Sequence, residues 1–99
     1  MTRHFVIGTE ANGEQNRALR NYFNEHGTWW NWIPGFWLFV TDEDLTVARL
    51  RDRVKRITAE TNPDVMVLEV TPVTWAGYGP GDKDRDMFKW LRNNWGSPR

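Results

Sequence analysis

Apolar residues fall in blocks that read strand, helix, strand, strand, helix, strand. That order predicts an α+β fold: an antiparallel four-stranded sheet with both helices on one face, plus a short C-terminal helix. Three observations carry the prediction. Leu19, Tyr22, Phe23 and His26, then Val47, Leu50, Val54 and Ile57, recur at helical spacing. Two segments rich in aromatic and β-branched residues flank Pro34-Gly35, a two-residue turn signal. Short apolar runs, Phe5-Val6-Ile7 and Val65-Met66-Val67-Leu68, have the length of buried strands.

In chain order, residues 4–8 form the first strand and Asn12-Gly13 breaks it. Residues 14–26 form the first helix, with Gly27 placed for a left-handed cap. Residues 28–33 and 36–41 make the hairpin. In its first strand Trp30 and Trp32 share one face, Trp29 and Asn31 the other. One face should pack on the helices and leave the opposite one accessible. Thr46 or Asp44 caps the second helix, and the acids Asp42, Glu43 and Asp44 suit its dipole. Asn62-Pro63-Asp64 stops it, and residues 65–70 form the last strand. A glycine-rich loop, 75–81, leads to a helix over 84–94 whose acidic start is Asp82, Asp84 and Asp86. This is the ferredoxin-like βαββαβ order, a single domain over 1–95 with a flexible tail at 96–99.

Length and composition suit one soluble domain of 99 residues. The absence of Cys removes disulfides, thiolate catalysis and cysteine-ligated metal. The longest aromatic stretch is interrupted by Asn31 and Pro34-Gly35 and falls short of the ~20 apolar residues that span a bilayer, so a cytoplasmic protein with no membrane partner is expected. Thirteen bases balance thirteen acids. The zero sum hides a local excess: Arg49, Arg51, Arg53, Lys55 and Arg56 concentrate five of the thirteen bases in one helix. Seven tryptophans are the compositional anomaly, four in the hairpin and three near the C-terminus.

Few catalytic constellations can be assembled. The single Ser is Ser97, in the tail, so serine and cysteine hydrolysis lack their atoms. His4 and His26 sit at the edges of separate elements without metal-ligand spacing. Asp82, Asp84 and Asp86 lack the glycine and final Glu of a calcium loop. Gly77 to Gly81 lacks the Lys-Ser/Thr of a phosphate-binding loop. Glu10 projects from the end of the first strand, where a carboxylate can hold a cation such as Mg²⁺; the plain alternative is a solvated loop acid. Arg49, Arg53 and Arg56 lie opposite the apolar stripe of their helix. They read either as a solvated face with an Asp52–Arg56 pair or as a stripe that tracks phosphates. The hairpin tryptophans read as core or as stacking platforms.

Gly27-Thr28-Trp29-Trp30, Phe36-Trp37-Leu38, Leu50-Arg51-Asp52-Arg53-Val54, Trp75-Ala76-Gly77-Tyr78 and Lys89-Trp90-Leu91-Arg92-Asn93-Asn94 together resemble the small SinR-like bacterial proteins. Those are relatives of the VapD toxins and of the ferredoxin-like subunit of the CRISPR adaptation complex. The resemblance runs over nearly the whole chain, and its most specific parts are the Trp-Trp hairpin and the Trp-x-Gly-aromatic loop. It implies a homodimer whose sheets meet near the last strands. In the nuclease branches an Asp at the end of the first strand is associated with metal-dependent phosphodiester cleavage. The matching position here is Glu10, and its longer side chain departs from that pattern.

The leading expectation is therefore a non-catalytic binding module with RNA, DNA or a nucleotide as ligand and no cofactor. Arg49, Arg53, Arg56, Trp29, Trp30 and Tyr78 would carry binding. The alternatives are a Mg²⁺-dependent endoribonuclease using Glu10, and a sponge for a small nucleotide signal whose base stacks on tryptophan while Arg holds phosphate.

Overall fold

The computed structural model describes residues 1–98. In chain order the main elements are β1 (Arg3–Thr9), α1 (Gly13–His26), β2 (Thr28–Ile33), β3 (Phe36–Thr41), α2 (Val47–Ile57) and β4 (Val65–Val70). Two-residue strands β5 (Thr74–Trp75) and β6 (Ser97–Pro98) bracket α3 (Lys89–Asn94). The four long strands form one sheet in the order β2-β3-β1-β4, with antiparallel neighbours throughout. This is a mixed α+β domain with an antiparallel sheet and three helices.

Local chemistry explains the helix ends. The Asn12 side chain accepts from the Gln15 N–H at 2.8 Å while the Gln15 carboxamide accepts from the Asn12 N–H at 3.2 Å, a reciprocal cap. Thr46 caps α2 by accepting from Arg49 N–H at 3.2 Å. Asp42, Glu43 and Asp44 serve other partners: Thr2, His26 and Arg3 respectively. Gly27 is extended, at φ 171°, rather than left-handed, because β2 starts at the next residue. Its glycine is needed for another reason: a Cβ there would run into the Val40 carbonyl oxygen.

Alternation along the strands sorts side chains onto two faces. One face, with Phe5, Ile7, Trp37 and Phe39, packs against Leu19 and Phe23 of α1 and Leu50 and Val54 of α2, all buried. The opposite face is not left open. Trp30 and Leu38 pack there against Met87, Leu91 and Trp95, so residues 72–98 cover much of the second face and make a second core. Two indole N–H groups fasten this cover: Trp30 donates to the Met87 carbonyl at 2.6 Å, and Trp90 to Thr28 Oγ1 at 2.7 Å. Ser97–Pro98 pairs in parallel with Thr74–Trp75, so this part of the expected flexible tail is held; Arg99 lies outside the described residues.

The last helix is shorter than expected. Asp82 turns its carboxylate onto the N–H groups of Asp84 and Arg85 at 3.0 and 2.8 Å, which favours a turn over helix at 82–85. Asp86 accepts from Phe88 N–H and pairs with Arg92 at 2.6 Å, tying that turn to α3. Arg92 and those hydrogen bonds hold the Asp86 carboxyl below the usual carboxylate range.

Candidate functional site

Three places combine shape with chemistry. On the helical layer, Arg49, Arg53 and Arg56 lie on one ridge of α2 and line a shallow cleft of about 400 Å³ with Tyr22, His26 and Asp52. Arg53 stands over the Tyr22 ring at 5.5 Å. Burial raises the Tyr22 phenol's pKa, partly offset by the Arg53 charge. The expected Asp52–Arg56 pair is absent among the described residues; Asp52 instead pairs with Arg51 at 2.9 Å. No carboxylate pairs with Arg49, Arg53, Lys55 or Arg56 among the described residues.

At the C-terminal end of β1, Glu10 shares a cleft of about 370 Å³ with Thr9 and Asp64. Asp64 comes from the stop before β4, and its side of the cleft was not visible in the Glu10 motif. Thr9 is buried, and its hydroxyl has no hydrogen-bond partner among the described residues. Mg²⁺ takes one or two carboxylates and keeps several waters, so this donor set fits such an ion. Among the described residues no group of three His, Cys, Asp or Glu gathers here or elsewhere.

On the second face, the sheet and its C-terminal cover leave an apolar groove of about 380 Å³. Val6, Trp30 and Leu38 form its floor; Trp75, Phe88 and Trp95 form its wall. Trp75 and Phe88 stack at 5.7 Å with planes 11° apart. Tyr78 stands at the mouth, fully exposed, and Phe36 is 37% exposed at the rim. Arg85 lies over the half-exposed Trp32 ring at 5.5 Å.

No protein-family model, curated protein or solved structure matches the chain.

The residues expected to share one binding site divide between the two sides of the sheet. Arg49, Arg53 and Arg56 are brought together on α2. Trp29 is half-buried beside Trp37, its N–H donated to Asn24 at 2.6 Å. Trp30 is 4% exposed with its N–H satisfied, so it is a floor residue rather than an open stacking platform. Tyr78 is accessible but lies across the sheet from the arginines. Trp75 and Phe88 were not among the expected site residues, because the loop that carries Trp75 has no period; its signal was the pairing of glycines with rings. A Cβ on Gly77 would come within 2.9 Å of the Phe88 ring.

Proposed function

We propose that the chain is a non-catalytic binding module for nucleic acid or a nucleotide, acting as a homodimer of ferredoxin-like protomers and related to the SinR-like and VapD-like proteins. The observation that carries the reading is the α2 ridge: three aligned, exposed guanidiniums with no carboxylate partner among the described residues. Arg presents a planar fork that suits phosphate oxygens, and unpaired guanidiniums need not first break an ion pair. The strand order β2-β3-β1-β4 supports the ferredoxin-like assignment. Met66 and Leu68, 64% and 51% exposed on edge strand β4, support an apolar contact between copies.

The test is a titration of labelled single-stranded RNA at several salt concentrations. Each phosphate neutralised adds about 0.7 to the logarithmic salt slope. Replacing Arg49, Arg53 and Arg56 together by Gln should lower that slope by about 2 and weaken binding across all sequences. Affinity that ignores salt would refute the ridge as the binding surface. Light scattering tests the dimer, and a monomer at micromolar concentration would count against it.

A second reading is a Mg²⁺-dependent endoribonuclease. The shared cleft of Glu10 and Asp64 beside the unpartnered Thr9 hydroxyl favours it. A bound Mg²⁺ would polarise a phosphate oxygen. Glu10 and Asp64 would hold the ion and draw the scissile strand to the end of β1. RNA cleavage that requires Mg²⁺ and disappears in Glu10→Ala would establish it; cleavage that survives Glu10→Ala would rule out this site.

A further inference from the structure

We infer that the aromatic groove on the second face of the sheet is a pocket for a single nucleobase-like ring, delivered as a free nucleoside or nucleoside monophosphate. The site is separate from the α2 ridge, because the sheet stands between them.

Four features point to that ligand class. The groove's volume, about 380 Å³, is in the range of small-molecule sites and small for a longer chain. Its walls are rings: Trp75 stacked on Phe88, with Trp30 and Trp95 beside them, so a flat ring gains contact on more than one side. The rim carries unspent polar groups. Among the described residues the main chain of Gly77, Tyr78 and Gly79 neither donates nor accepts a hydrogen bond within the main chain. The Trp75 indole N–H is buried without an acceptor among the described residues. Glycines at 77 and 79 keep that stretch of main chain tight against Phe88 and Met87, where any Cβ would intrude. Free main-chain N–H and C=O groups beside aromatic walls suit the donor and acceptor edge of a heteroaromatic base. Gly77, Tyr78 and Gly79 are exposed, so a base edge can take the place of the water on their main-chain groups.

Charge sets the remainder of the ligand. Asp82, Lys83, Asp84, Arg85 and Asp86 bring three acids and two bases to the adjoining turn, and Arg92 engages Asp86. The turn therefore lacks the positive excess that a di- or triphosphate requires. Arg85 lies over the Trp32 ring and neither residue lines the groove, so the lining itself brings no cation and suits a ligand with one phosphate or none.

The test is isothermal titration of the full chain with AMP, GMP, CMP, UMP and their nucleosides. It is paired with ¹H–¹⁵N spectra of the indole N–H signals. A mononucleotide should bind saturably and shift the Trp75 indole signal most. Tyr78→Ala and Phe36→Ala remove partly or fully exposed rings, so the fold should survive. Loss of a stacking ring typically weakens base binding by roughly 5- to 150-fold. At least one of the two variants should do so, while Arg17→Gln, an exposed charge on α1 outside both sites, leaves mononucleotide affinity within twofold. Binding lost in the triple Arg→Gln variant of α2 and unchanged in both ring variants would overturn the inference. So would the absence of saturable binding by every nucleoside and mononucleotide, or binding only of a single-stranded oligonucleotide. The α2 reading stands or falls separately on its salt slope.

Discussion

Two buried threonines on this sheet should respond in opposite ways to the same substitution. Thr9 and Thr41 are 4% and 1% exposed. The Thr9 hydroxyl has no partner among the described residues. The Thr41 hydroxyl donates to the His26 carbonyl at 2.6 Å and accepts from Glu43 N–H at 3.1 Å. Valine replaces the hydroxyl by a methyl of similar size and keeps the β-branched shape that strands favour. A buried polar group without a partner costs about 1–3 kcal/mol, so Thr9→Val should stabilise the fold by about 1–2 kcal/mol. At about 4–8 °C per kcal/mol for a domain of this size, the midpoint should rise by roughly 5–15 °C. Thr41→Val strips one bond from a carbonyl and one from an N–H, and should cost about 1–3 kcal/mol. Urea unfolding followed in parallel by tryptophan fluorescence and far-ultraviolet circular dichroism measures both and checks two-state behaviour. The reasoning fails if Thr9→Val leaves the midpoint unchanged or lowers it, or if both variants move in the same direction. Added Mg²⁺ gives a further readout: an ion held by Glu10 and Asp64 must raise the wild-type midpoint.

Other perturbations follow from the same geometry. Gly27→Ala places a Cβ against the Val40 carbonyl and should cost about 2 kcal/mol or more, measured as a fall in the urea midpoint. Trp30→Phe orphans the buried Met87 carbonyl and should cost about 2–3 kcal/mol, with faster hydrogen exchange across residues 87–95 as its local signature. The Asp86 carboxyl is held below its ordinary value by Arg92 and by the Phe88 N–H, so its stabilisation is present above the unfolded carboxylate range. That contribution is lost as pH falls through the lowered folded pKa. Asp86→Asn should therefore be less stable than wild type at pH 7 and converge with it in acid; a constant gap across that range would contradict the linkage.

Periodicity made one half of the molecule legible. Leu19 and Phe23, then Leu50 and Val54, advertise their buried faces at helical spacing, and Phe5 and Ile7 alternate as strand residues do. The second core was illegible for a physical reason. Trp75, Met87, Phe88 and Trp95 reach the sheet from turns, one short helix and a two-residue strand, and such segments share no period. The expected accessible face of the hairpin survives only near its turn, where Trp32, Ile33 and Phe36 stay exposed while Trp30 and Leu38 are covered. Asp82 and Asp86 read as the acidic start of a helix because composition cannot distinguish a dipole partner from a carboxylate that bends back onto its own turn. The three α2 arginines were visible as a ridge, since spacing alone aligns them. Asp64 beside Glu10 was not, because that proximity arises only when β4 lies next to β1.

The cover over the second face also imposes an order on how the protein comes into being. Everything the four-stranded sheet needs lies before Thr71, but Trp30 and Leu38 stay bare until residues 72–98 fold onto them. A chain that has paired its strands before that closure displays an aromatic sheet face beside the open edge of β4, a surface that invites pairing with other chains. Newly made copies should thus lean on chaperones in a way the finished, closed molecule does not.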